Sequence, residues 1–451
     1  MTLRFPGRAL AAALLVVTAL VGVYAGPADA ARVQRVVSPG GVTAWLIESH
    51  TLPLVQMSMF FRGGASQDPA DKPGLAYFAD WMLDEGVGEM NTAEFYRAKK
   101  LLGAAISKSL TDEREIIGFG FLTEHRDASL DLLRKLLVEP RFDEDAMERA
   151  RNEILSSLES LRRNPADNIM QKLSEVLYPN HPYGKQRRGT PEAVKSITRA
   201  DLEAYRRKTF ARDNLIISVV GDIDAATLAV QLDKVFGGLP AHAELQPMPP
   251  SHSQSPQDVR IVDDVRQTSI AFGYVLDTPF TPEEMPAVQI LNHVLSGGIL
   301  TSRLDREVRV KRGLVYSIGF SVGRTPDSQY AYGTFGAEPS SAEQAFAIAK
   351  DEIRKLAEEG PTEEEVRNAK TYLQGAYVVG LSNSASISSE LLDLQRFGYP
   401  LDAIDTYAAR VEAVTMEQLR GLAKRVFRPD LLTRVTVSPA ETPAPKEAAG
   451  K

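Results

Sequence analysis

Gly74-Leu75-Ala76-Tyr77-Phe78-Ala79-Asp80-Trp81-Met82-Leu83 is the stretch on which the reading of the whole chain turns. Its apolar residues recur at helical spacing, so it reads as an amphipathic helix. Tyr77, Asp80 and Trp81 fall at i, i+3 and i+4 and therefore share one face. Two aromatics one turn apart pack on each other and on a sheet, which makes Tyr77 and Trp81 expected core contributors. Upstream, Met59-Phe60-Phe61-Arg62-Gly63-Gly64-Ala65 reads as a strand running into a glycine turn. Downstream, Glu148-Arg149-Ala150-Arg151-Asn152-Glu153-Ile154 sits within a long amphipathic helical pattern, residues 143–161.

The surrounding segments alternate in the same way. Residues 33–37 and 42–47 read as strands around the turn Pro39-Gly40-Gly41, and 55–61 as a third strand. A helix is expected over 92–102 with Thr92 as its cap, then a strand pair over 104–110 and 115–122. Residues 128–137 form another amphipathic helix, 177–184 a turn-rich loop, 198–210 a helix and 214–222 a buried strand. Residues 240–257, rich in Pro, Ser and Gln, read as a linker.

The second half repeats the first. Thr198, Leu202, Phe210, Asp213 and Leu215 recur 217 positions later as Thr415, Leu419, Phe427, Asp430 and Leu432. Met147 and Ala150 match Val366 and Ala369 at an offset of 219, and residues 287–295 echo the Tyr77 helix. One such period is too long for a solenoid. It predicts an α+β fold of two duplicated domains, 31–239 and 258–438, each a sheet with helices packed on one face. Residues 439–451, with Pro, Ala, Glu and Lys, read as a disordered tail.

Arg4 and Arg8 precede an apolar run, residues 9–23, and Ala28-Asp29-Ala30 is a small-x-small cleavage site, so residues 1–30 read as a signal peptide. In a Gram-negative cell the product would be periplasmic, with no membrane association after cleavage. A net charge of −7 without a basic tract argues against a nucleic-acid partner. The absence of cysteine excludes disulfides, thiolate metal sites and a cysteine nucleophile.

The order of strand, glycine turn, aromatic helix and later charged helix resembles the pitrilysin, insulinase and mitochondrial processing peptidase family. Its members carry H-x-x-E-H on the first helix and a third ligand, Glu, on the later one. The resemblance spans essentially the whole chain after residue 30 and implies a mainly antiparallel sheet in each domain. At the motif positions this chain reads Tyr77-x-x-Asp80-Trp81. An inverted-zincin site needs two neutral imidazoles one turn apart and a carboxylate that activates the zinc-bound water. Trp81 is no ligand, Tyr77 is a rare one, and Asp80 is one methylene shorter than Glu. Glu153 is the candidate for the third-ligand position; a register one turn later places Ser157 there. The six histidines, His50, His125, His181, His242, His252 and His293, include no two within a helical turn. They read as loop or surface residues, with His293 half-buried. The chain itself is therefore expected to bind no metal.

The segment Leu295-Ser296-Gly297-Gly298, continuing through Ser302-Arg303-Leu304 to Lys311-Arg312-Gly313-Leu314-Val315-Tyr316, is similar to the family's second-domain segment. There an Arg and a Tyr seven positions apart face the active site, hold the substrate backbone and support the tetrahedral intermediate. Arg309 and Tyr316 match that spacing. Guanidinium and phenol are apt donors to a carbonyl or oxyanion. Gly297-Gly298 permits close backbone approach.

Lost zinc ligands with a retained Arg–Tyr pair is the pattern of the family's non-catalytic subunit. The resemblance thus implies the substrate-binding half of a heterodimeric zinc endopeptidase acting on peptides or unfolded polypeptides. Zinc would reside in a homologous H-x-x-E-H partner. The alternative is a peptide-binding or scaffold pseudopeptidase with no part in proteolysis.

Overall fold

The computed structural model describes residues 32–440; the expected signal peptide and the tail from residue 441 onward lie outside them. Alternating segments of the first half form a six-stranded sheet. Its strands are β1 (Gln34–Val37), β2 (Thr43–Glu48), β3 (Leu54–Arg62), β4 (Ala105–Leu110), β5 (Arg114–Leu122) and β6 (Leu215–Gly221). Their order is β1-β2-β6-β3-β5-β4, antiparallel except where β2 meets β6. The second half builds β7 (Asp258–Val262), β8 (Thr268–Val275), β9 (Val315–Arg324), β10 (Gln329–Ala337) and β11 (Thr433–Ser438). Their order is β9-β10-β8-β11-β7, again with one parallel pair, β11 with β7.

Setting β1 aside, the two sheets have the same strand order read from opposite edges, with the parallel pair in the same place. The duplication is therefore topological as well as sequential. The repeated threonines show why the repeat survives: Thr198 and Thr415 each cap a helix, accepting from Asp201 N and Gln418 N in reciprocal capping boxes.

Each half lays its own helices on one sheet face. In the first, α1 (Leu75–Met82), α4 (Glu144–Arg163) and α6 (Arg199–Thr209) share a cluster around Phe78, Met147, Ile154 and Leu202. The helices α2 (Thr92–Leu101), α3 (Arg126–Val138) and α7 (Ala225–Phe236) complete that half, with α3 and α7 packed directly on the sheet. In the second half, α8 (Met285–Asn292), α9 (Ala342–Glu359) and α12 (Met416–Val426) do the same, and α10 (Glu363–Gly380) contributes Val366 and Ala369.

The opposite faces are not left to solvent. Helix α5 (Ile169–Leu177), which the sequence reading left unassigned, crosses to the second sheet and buries Ile169, Leu173 and Leu177 against Ala271, Val275, Val435 and Val437. Reciprocally, α11 (Ser384–Arg396) buries Leu391 and Leu394 against Trp45, Ile47 and Val220 of the first sheet. Ser388 fixes the register: its Oγ lies 2.9 Å from both Ser58 Oγ and Ser218 Oγ, all three buried. Each sheet thus carries its own helices on one face and a helix of the other half on the opposite face. With both faces covered, β3 and β8 are buried at most positions instead of at alternate ones.

Two smaller expectations are corrected. The cap of α2 is Asn91, in a capping box with Glu94, while Thr92 Oγ1 donates to the Glu85 carbonyl. His181 is buried, bonded to the Pro249 carbonyl and the Tyr183 amide. Residues 240–257 carry no helix or strand yet are pinned: Gln67 bonds the Gln246 backbone through both ends of its amide. Among the described residues no helix is long and apolar enough to cross a membrane.

Candidate functional site

Helix α1 begins at Gly74, whose φ of 97° requires glycine, and its first amides are received by Asp68 (Gly74 N at 2.7 Å, Ala76 N at 2.8 Å). The backbone at Gly74 and Gly189 approaches so closely that a Cβ on Gly189 would lie 2.0 Å from the Pro73 carbonyl oxygen. That approach sets Arg188 beside α1. Its guanidinium lies over the Tyr77 ring, 5.7 Å from the centroid, and Nη1 donates to Ser157 Oγ on α4 at 2.8 Å. Glu153, one turn earlier on α4, is exposed. Of the two registers left open by the sequence, the Ser157 register is the one that faces α1.

Tyr77 and Trp81 are partly buried and pack against the Phe78–Met147 cluster. The position thus offers a phenol, an indole and a hydroxyl, already bridged by a guanidinium cation. Those side chains do not fit zinc, which takes neutral imidazole, thiolate or carboxylate donors in a tetrahedron. Among the described residues no group of three or more His, Cys, Asp or Glu is arranged to hold a metal ion.

Asp80, at the general-base position, has been drawn into a different arrangement. Lys108, from the outer strand β4, donates to the Asp80 carbonyl and to the Asp84 carboxylate (2.7 Å). The Asp80 carboxyl faces Glu115 of β5, and each keeps one buried oxygen without a partner beyond that contact. Burial raises both carboxyls above their ordinary range, their mutual repulsion pushes Glu115 up further, and Lys108 offsets part of the rise. Burial therefore favours the protonated form of both carboxyls. Because the folded state binds protons here more tightly than the unfolded chain, the contribution to stability is full below the ordinary carboxylate pKa and is lost as pH rises through the raised folded value. Glu115→Gln keeps the shape and removes the charge. It is expected to raise the unfolding free energy from urea titration at pH 8 by on the order of 1 kcal/mol or more, with a smaller gain at pH 5; an equal gain at both values would refute the cost assigned to the buried charge.

In the second half, Arg303 is buried and bidentate to Glu365 (2.8 Å twice), and it also donates to the Gly360 carbonyl. This anchors the irregular helix Asp305–Val310, on which Arg309 lies. The Arg309 guanidinium stacks over Tyr316 at 5.1 Å, and its nearest acid is Asp305 at 3.9 Å. Tyr316 is 85% exposed. It stands at the start of β9, the outer strand of its sheet, where a register shift between Val315 and Ile318 releases the backbone from β10. The structure therefore brings Arg309 and Tyr316 together on open surface. Gly297 and Gly298 make room for His293 and Thr301: a Cβ on Gly298 would lie 2.5 Å from Thr301 Oγ1. Sequence reasoning missed Arg188, Lys108 and Glu115, because their partners lie far away along the chain and no local spacing marks them.

Two family models match the chain. One, described as insulinase (peptidase family M16), matches residues 44–191, and the other, described as peptidase M16 inactive domain, matches residues 196–373. A Helicobacter pylori protein named non-peptidase homolog YmxG is 24% identical over 427 residues, covering 94% of this chain and 98% of its own. The crystal structure of a peptidase M16 inactive domain from Pseudomonas fluorescens superposes with a TM-score of 0.84 at 25% identity, over 92% of this chain and 99% of the other. The periplasmic protease PqqL from Escherichia coli superposes at 0.78 and 15% identity over 91% of this chain, which spans 46% of its length.

Proposed function

The chain belongs to the M16 peptidase family as a non-catalytic member without the zinc ligands, and from that premise we propose that it is the substrate-binding subunit of a periplasmic heterodimeric zinc endopeptidase. The observation that carries this reading is the pairing of Arg309 with Tyr316 on an exposed outer strand, in a chain whose α1 site holds a guanidinium where the family binds metal. A pure scaffold has no use for a cation and a phenol stacked and left open to solvent.

A homologous subunit bearing H-x-x-E-H supplies the zinc and the general base. This chain supplies donors to the substrate backbone and half of the enclosing chamber. That a chain about twice as long as the matched region is described as a protease supports building the working enzyme from two lengths of this fold. Substrates are peptides or unfolded polypeptides, held as an added strand on the outer strands β4 or β9. The leader directs the chain to the periplasm.

Affinity purification of the tagged chain from its native periplasm tests the proposal, with peptide cleavage by the eluate measured with and without a zinc chelator. A stoichiometric H-x-x-E-H homologue with chelator-sensitive cleavage is expected, and the chain purified alone is expected to be inactive. A lone, inactive homodimer would overturn the subunit reading and leave the scaffold one.

A further inference from the structure

Between the two halves lies a cavity of about 460 Å³ that takes no part in either site described above. Its walls come from both halves: the β4–β5 turn and α5 from the first, the β9–β10 hairpin end and α11 from the second. Four guanidiniums line it. Arg187 is paired with Asp112 (3.1 Å) and Arg396 with Asp393 (2.9 Å). The other two, Arg114 and Arg324, come one from each half, and among the described residues neither has a carboxylate within ion-pair distance. Arg114 Nε is buried with no hydrogen-bond partner, and Arg324 is held over the Phe397 ring at 4.6 Å. Beside them the Glu113 carboxyl, pushed up to about 7 by burial, keeps Oε1 buried and unpartnered. Leu173 and Leu177 give an apolar wall, and Tyr330 stacks on Tyr332 at 5.1 Å.

Two unpaired arginines in a half-enclosed space carry a desolvation cost that an anion would offset. The volume is that of a small-molecule site, with a strongly charged side facing leucines and tyrosines. The acids in the wall decide the charge of the guest. Asp112 would repel a dianionic phosphate, whereas a single carboxylate can accept from both free guanidiniums and from the protonated Glu113 carboxyl while its body lies on the leucines and tyrosines.

We propose that this cavity binds a monocarboxylate with an apolar or aromatic body, such as the carboxyl end of a short peptide, clamped between Arg114 of one half and Arg324 of the other. The inference does not depend on the subunit reading.

Calorimetric titration and thermal unfolding of the full chain from Ala31 test it, with N-acetyl-phenylalanine as probe and its neutral amide as control. Saturable binding of the acid is expected, with an upward shift of the melting temperature because the guest bridges both halves. The amide should bind about tenfold weaker or less well still, as should the acid to Arg114→Ala or Arg324→Ala. Arg309→Ala should bind the acid as the parent does, which separates this cavity from the outer-strand site. Should Arg324→Ala fail to fold, Arg324→Lys, which keeps the charge and loses the planar fork, is expected to weaken binding in the same direction. 3-Phenylpropionate distinguishes the source: tighter binding of the acetylated amino acid assigns a peptide end, tighter binding of the simple acid a free metabolite, and both uphold the site. No saturable binding of either acid, equal affinity for acid and amide, or indifference to both Arg114 and Arg324 overturns it.

Discussion

Arg309→Ala, assayed in the complex with an H-x-x-E-H homologue, is expected to lower kcat/KM for a peptide by about 10²–10³-fold, the usual loss when one preorganised donor to a developing oxyanion is removed. The geometry explains the size. Arg309 sits on an irregular helix anchored by the buried Arg303–Glu365 pair, so its position is fixed. Among the described residues the one acid near it is 3.9 Å away, which leaves its donors available to a substrate. Tyr316 orients the guanidinium from below and exposes its own hydroxyl. Most of the loss should fall on kcat, because a full charge meets a carbonyl weakly and a developing oxyanion strongly. Tyr316→Phe keeps the stacking and removes one neutral donor, so about a tenfold loss is expected. Neither side chain is part of a core, so the unfolding free energy of the chain alone should stay within about 0.5 kcal/mol of the parent. A complex that cleaves equally well with both variants would remove the functional claim for this pair and leave them as surface residues.

The sequence resolved what depends on neighbours along the chain and missed what depends on neighbours in space. Strand alternation, helical periodicity and the recurrence of Thr198 at Thr415 are local patterns, and every sheet strand except β7 to β11 was readable segment by segment from them. The second sheet followed from the repeat. The loss of the zinc motif was also legible, since ligand chemistry follows from residue type alone. The register of the later helix was not: Glu153 and Ser157 differ by one turn, and only the tertiary placement of Arg188, fixed by the contact of Gly74 with Gly189, shows that Ser157 is the residue facing Tyr77. Helix α5 escaped because Ile169, Leu173 and Leu177 bury against a sheet that lies roughly a hundred residues away at its nearest strand, and a short apolar stripe beside a turn-rich loop does not declare its partner. Asp80 reads as a degraded base in the sequence and is, in the fold, a buried carboxyl beside Glu115 of β5, both raised by burial.

The exchange of α5 and α11 makes the two halves one folding unit, and Leu391→Ala tests this with the larger stability effect. Leu391 is fully buried against Trp45, Ile47 and Val220, so truncation leaves a cavity and should cost about 2–5 kcal/mol. The location makes the consequence specific. Leu391 belongs in sequence to the second half, yet the surface it covers belongs to the first. If the halves folded independently, the variant would destabilise one transition and leave the other in place. With the back of each sheet covered by a helix of the other half, neither sheet can keep its helix once the donor half unfolds. A single calorimetric transition shifted to lower temperature is therefore expected. Leu173→Ala, on α5, should shift the same single transition from the opposite side. Residues 31–239 expressed alone would expose Trp45, Ile47 and Val220 along with the apolar stripe of α5, and should not reach the stability they have in the whole chain. Two resolved transitions in Leu391→Ala, or a first half that unfolds alone at the same temperature as the intact protein, would show that the crossed helices are docked on finished domains. One shifted transition would mean that each sheet is completed by its neighbour, so that two solvent-facing sites on different halves are held in a fixed relation by the same contacts that fold them.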